Sequence, residues 1–180
     1  MSAPEVWLRG PVAGIAPMLQ PAAHTFLQVG EELSRLLRGA PAAEVRATPG
    51  GAPSIAWHAR HLAASTDRLL TYAAGRPLDE AQLQRLRDER ATPAPTVDGD
   101  ALWAEVETAL ADALRQLHEW SSRAGELLAP RTVGRAALPS TVFGLLFHTA
   151  EHAQRHAGQI ATTARIVRAP RGDTATASSA

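Results

Sequence analysis

Seven histidines and no cysteine set the chemical repertoire of this 180-residue chain. Five of the histidines fall in two clusters: His58 with His61, then His148, His152 and His156. Imidazole titrates near neutral pH and, when neutral, ligates metals through either ring nitrogen. His152 and His156 are four residues apart. On a helix that spacing puts two side chains on one face, with Cβ atoms ~5–6 Å apart. Metal–imidazole bonds are ~2.0–2.1 Å long, so two such rings can converge on one ion. Without cysteine there is no disulfide, thiolate site or cysteine nucleophile, and a metal would have to use His, Asp or Glu.

The elements that must position these residues read as helices, because apolar residues recur at three- and four-residue spacing and no alternating strand pattern stands out. A first helix is predicted from Pro21 to Leu37, with Phe26, Leu27, Val29, Leu33, Leu36 and Leu37 on its stripe. A loop rich in Gly, Pro and Ala follows, up to Pro53. Ser54 suits the N-cap of a second helix that reaches Ala74 and stops at Gly75. A shorter helix spans Asp79 to Arg90, and Asp79 with Gln82 has the spacing of a capping box. After a linker from Ala91 to Pro95, a third long helix runs from Asp100 to Arg123 with Leu102, Val106, Leu110, Leu114 and Leu117 on one face. Gly125 to Pro139 reads as an irregular connection. Ser140 then caps a last helix from Thr141 to Arg168. The expectation is one all-α domain over residues 1–168, a bundle of four long helices and one short one, with residues 169–180 a disordered tail.

The stripe of the last helix is Val142, Leu145, Leu146, Thr149, His152, Ala153, His156, Ile160 and Val167. Two histidines therefore occupy interior positions. A buried polar group left without a partner costs roughly 1–3 kcal/mol, so these rings need hydrogen bonds or a metal. A hydrogen-bonded pair of core histidines is the plainer alternative. The second helix offers a third imidazole: its stripe of Ile55, His58, Leu62, Ser65, Leu69 and Tyr72 puts His58 at the centre and His61 about 60° away. Periodicity alone favours His58.

Other polar residues carry weaker signals. His148 lies one turn before His152 and suits either a pocket role or simple packing; His24 fits packing in the bundle, and His118 the surface. Glu151 precedes His152, whereas a zincin-type general base directly follows its histidine, so no base is assigned there. Gln159 suits a structural hydrogen bond, and Trp57, Trp103 and Trp120 suit core or interface anchors. Arg85, Arg87 and Arg90, interleaved with Asp88 and Glu89, read as a solvated helix face.

Bulk properties narrow the partners. Formal net charge is zero and the pI about 7.1, which argues against nucleic-acid binding. No apolar run approaches the ~20 residues that cross a bilayer. The first ten residues carry no secretory pattern, so a cytoplasmic protein with no membrane partner is expected.

Two segments resemble a known family. Ser54 to Leu69, SIAWHARHLAASTDRL, resembles the first signature of the DinB/YfiT-like superfamily. Glu151 to Ile160, EHAQRHAGQI, resembles its second, the more specific H-x-x-x-H-x-G-Q-I pattern. The resemblance spans Pro11 to Arg168. It implies an up-down-down-up four-helix bundle, often a homodimer, holding a divalent metal on three histidines. The implied ligands are His61, His152 and His156; the family's helix-two ligand precedes a small apolar run, as His61 precedes Leu62-Ala63-Ala64. Zn or Ni is the implied metal, with Fe, Mn or Cu as alternatives. The resemblance implies a small-molecule substrate: some relatives are S-transferases or isomerases using mycothiol, bacillithiol or glutathione, others are labelled metal-dependent hydrolases, and many have no known reaction. A non-catalytic, stress-related metal-binding dimer is the other reading.

Overall fold

The computed structural model describes residues 4–89 and 96–169. Arg90, the expected linker from Ala91 to Pro95 and nearly all of the expected tail lie outside the described residues. The chain is mostly helical, and four long helices carry its core. These are α1 (Gln20–Leu37), α3 (Ile55–Ala73), α5 (Gly99–Ser121) and α6 (Val142–Arg168). Two short helices, α2 (Ala42–Arg46) and α4 (Glu80–Asp88), lie between them.

The helix ends follow local chemistry. Ser54 caps α3 by accepting a hydrogen bond from the Trp57 amide, and Asp79 with Gln82 forms a full capping box on α4. Asp98 caps α5 in the same way. Gly99 sits where a Cβ would fall 1.9 Å from the Leu37 carbonyl oxygen, so the start of α5 can press on the end of α1 only without a side chain.

Contacts along the helices fix their directions. His58 and His61 of α3 face His156 and His152 of α6, so these two helices are antiparallel. Arg168 near the end of α6 donates to the Leu36 carbonyl near the end of α1, and Phe147 shares a shallow groove with Pro21 and Ala22. Helices α1 and α6 are therefore parallel. Arg60 of α3 pairs with Glu105 of α5, and both helices line one groove in step. Helix α5 thus runs with α3, against α1 and α6. The core between them holds Phe26, Leu33, Leu62, Leu102, Leu117, Leu146 and Ile160, all essentially without solvent exposure.

The expected irregular connection before the last helix is instead a hairpin. Strands β1 (Pro130–Val133) and β2 (Leu138–Thr141) pair antiparallel, Pro130 opposite Thr141 and Val133 opposite Leu138, around a turn with Gly134 at φ +67°. Ser140 consequently lies in β2, and the cap of α6 is Thr141, whose hydroxyl accepts from the Gly144 amide at 3.0 Å. Strands of four residues that include prolines give too little alternation to read from sequence. The loop expected up to Pro53 likewise contains α2, whose five residues are too few for a periodic signal. The hairpin joins two long helices: Arg131 donates from Nε to the Ala73 carbonyl at the end of α3, while β2 runs straight into α6.

Candidate metal centre

Helices α3 and α6 meet along a seam of four imidazoles. His61 and His152 approach with Nε2 atoms 3.0 Å apart, and His58 and His156 with Nδ1 atoms 3.0 Å apart. The ring of His156 is 4.7 Å from that of His61 and 4.5 Å from that of His152, centroid to centroid. His61, His152 and His156 each present one nitrogen within 4.8 Å of the others. His58, the residue favoured by periodicity, is the most buried of the α3 pair but meets His156 from the other side. If His156 ligates through Nε2, its Nδ1 would carry the proton and donate to His58, and that contact would then fix the tautomer.

The electrostatics favour the ligating form. Burial, followed by the neighbouring His61, His148 and Arg155, pushes the pKa of His152 down to about 4. Burial together with His152, His61, His58 and Arg155 pushes that of His156 down to about 3. Burial and His61 also lower His58. Low solvation disfavours the cation, so His152 and His156 are neutral across the physiological range.

The surroundings of His61 were not legible in the sequence. Trp57 stacks flat on the His61 ring, centroids 5.0 Å apart and planes within 7°, instead of acting as a simple core anchor. Its indole nitrogen donates to the backbone carbonyl of Glu89 at 2.9 Å. Glu89, expected on a solvated face, is only 17% exposed in its side chain: one oxygen lies 2.5 Å from Arg68 Nη2 and the other 3.3 Å from His61 Nδ1. Arg85, Arg87 and Asp88 are exposed as that reading expected.

The remaining histidines stay outside the cluster. His148 is half-exposed beside Glu151, which itself pairs with Arg155. His24 contacts the Gly10 carbonyl and ties down the N-terminal segment, while His118 and Gln159 are exposed. On its other flank, α3 borders a groove of about 880 Å³ shared with α4 and α5. Trp57, His61 and Glu89 stand at its wall; Ala63, Ala64, Ala104 and Ala109 leave it open between the helices.

The donor set fits a divalent ion. Three imidazole nitrogens converge, two of the rings are held neutral, and the far nitrogens of His61 and His152 are buried without a hydrogen-bond partner among the described residues. Three imidazoles with no carboxylate leave coordination positions for solvent or substrate.

No helix among the described residues is long and apolar enough to cross a membrane. No curated protein matches the chain. Among solved structures, it is similar to a conserved protein from Enterococcus faecalis, at 19% identity and a TM-score of 0.57, over 83% of this chain and 96% of that one. That likeness speaks for the fold. The family model of the DinB superfamily matches residues 25–160, a span that contains all four long helices in whole or in large part and every imidazole of the seam. The chain belongs to the DinB superfamily.

Proposed function

We propose that this protein is a metal-dependent enzyme of DinB-like four-helix-bundle type, in which His61, His152 and His156 hold one divalent ion. The observation that carries this reading is the convergence of three imidazole nitrogens within 4.8 Å at the edge of an open groove. When bound, the ion supplies Lewis acidity that activates water or a small thiol at neutral pH. The chain's own contribution is to keep His152 and His156 neutral by burial, to orient the rings through His58 and Trp57, and to give a small substrate access past His61. Hydrolysis and thiol-dependent S-transfer are the two reaction types such a site serves. Zn or Ni best suits three imidazoles, with Fe, Mn or Cu as alternatives. We further propose a cytoplasmic homodimer whose single domain covers residues 1–168.

A non-catalytic metal-binding role is the second reading. The observation on its side is that His152 and His156 do not line the groove, which only His61 reaches. Elemental analysis of protein purified without a tag or chelator tests the shared premise: one equivalent of a transition metal is expected, and none would overturn it. Turnover of thiol–electrophile pairs or activated esters by the loaded protein, abolished in His152→Ala, then separates catalysis from storage.

A further inference from the structure

The short helix α4 has its polarity reversed. Leu83 and Leu86 point to solvent, whereas Gln82 is buried. The Gln82 amide donates to Asp67 Oδ1 at 2.9 Å and to Thr71 Oγ1 at 2.8 Å, and Arg85 pairs with Asp67 Oδ2 at 2.5 Å. One turn on, Glu89 meets Arg68, His61 and Trp57. Residues 82, 85 and 89 thus form a polar stripe laid along α3, ending at the candidate metal centre. A helix held by such contacts, with its leucines turned outward, is built to deliver a side chain rather than to fill a core.

We propose that Glu89 is a positioning residue for the metal centre: its carboxylate accepts a hydrogen bond from the Nδ1–H of His61 and so presents Nε2 to the ion. This inference rests on the metal reading given above. A ring that ligates through Nε2 must carry its proton on Nδ1, and that N–H needs an acceptor. The Nδ1 atom of His61 is buried with no aligned hydrogen bond, and Glu89 Oε2, at 3.3 Å, is the acceptor beside it. Arg68 holds the other carboxylate oxygen, so the carboxylate is anchored at one end and available at the other. Trp57 fixes both partners at once: its ring face lies on His61, and its N–H holds the Glu89 backbone.

The test uses the full chain stripped of metal and titrated with zinc against a competing chelator. Outer-shell partners of a ligating histidine change metal affinity by roughly 10–100-fold. Glu89→Ala is expected near the upper end of that range, and Glu89→Gln, which keeps an acceptor but loses the charge, near the lower. A purely structural role would not reproduce a second readout, the nitrogen-15 imidazole spectrum of the zinc-loaded protein. There the His61 Nδ1–H is expected to be protected from exchange in the wild type and in Glu89→Gln, and lost in Glu89→Ala. If Glu89→Ala does not fold, Glu89→Gln carries the test, and wild-type affinity in that variant overturns the proposal. Unchanged affinity in both variants, or an equally protected Nδ1–H in Glu89→Ala, overturns the role of Glu89 while leaving the metal centre standing. Failure of the wild type to bind zinc removes both.

Discussion

The α1–α5 seam and the α3–α6 seam are built from opposite materials. Where α1 and α5 turn inward, their buried side chains include Phe26, Val29, Leu33, Leu102, Val106, Leu110 and Leu117, and no ionisable group is among them. Where α3 meets α6, four imidazoles face one another across the same kind of packed interface. The first seam uses hydrophobic burial, which is non-directional and scales with area. The second gives up part of that gain to place polar atoms that need partners. One seam holds the fold, and the other is where a ligand can repay a structural cost.

Breaking each seam should therefore give a different phenotype. The largest effect is expected from His152→Ala or His156→Ala: metal content by elemental analysis drops to background while the helical circular dichroism signal persists. Retained full occupancy in either would sink the proposed ligand set. Leu33→Ala, in the apolar seam, should do the converse, losing ~2–5 kcal/mol of stability to denaturant while the folded protein still binds one equivalent. Loss of stoichiometric binding there would mean that the seams are not separable.

A pH series on metal-stripped protein sharpens the contrast. His152 and His156 hold pKa values of about 4 and about 3 in the fold, against ~6.5 for a free histidine. The unfolded chain therefore takes up protons that the folded seam refuses. Stability is full above pH ~6.5 and declines as pH falls from there towards the folded values. Denaturation midpoints at pH 7.5 and 5 should differ more for the wild type than for the His152→Ala/His156→Ala double variant. Equal differences would show that the seam does not exclude protons. The smallest effects come last: His58→Ala should weaken zinc binding about tenfold by freeing the His156 tautomer, and exposed His118→Ala should change nothing. A His58→Ala loss as deep as that of His156→Ala would make His58 a ligand.

The long helices were legible because burial imposes a period on them, and His152 and His156 stood out because that period carried them inward. Periodicity favoured His58, whereas the structure brings His61 together with His152 and His156, and the difference has a physical reason. Depth on a helical wheel measures distance from solvent, not convergence, and the deeper His58 meets the back of His156 while the shallower His61 turns towards the trio. The resemblance to a known signature picked His61, which no wheel would have done. Glu89 was invisible because its partners lie on another helix, and its own helix presents leucines outward, so the charge pattern there mimics a solvated face.

His61 and His152 are separated by 91 positions along the chain. An ion shared between them would act as a cross-link in a protein that has no cysteine with which to make one. Closing a loop of about 100 residues removes loop-closure entropy from the unfolded ensemble, about 4–5 kcal/mol in the chain-entropy account of a covalent staple. Occupancy would then set how long the folded chain lasts, with metal scarcity shortening its lifetime as well as removing its chemistry.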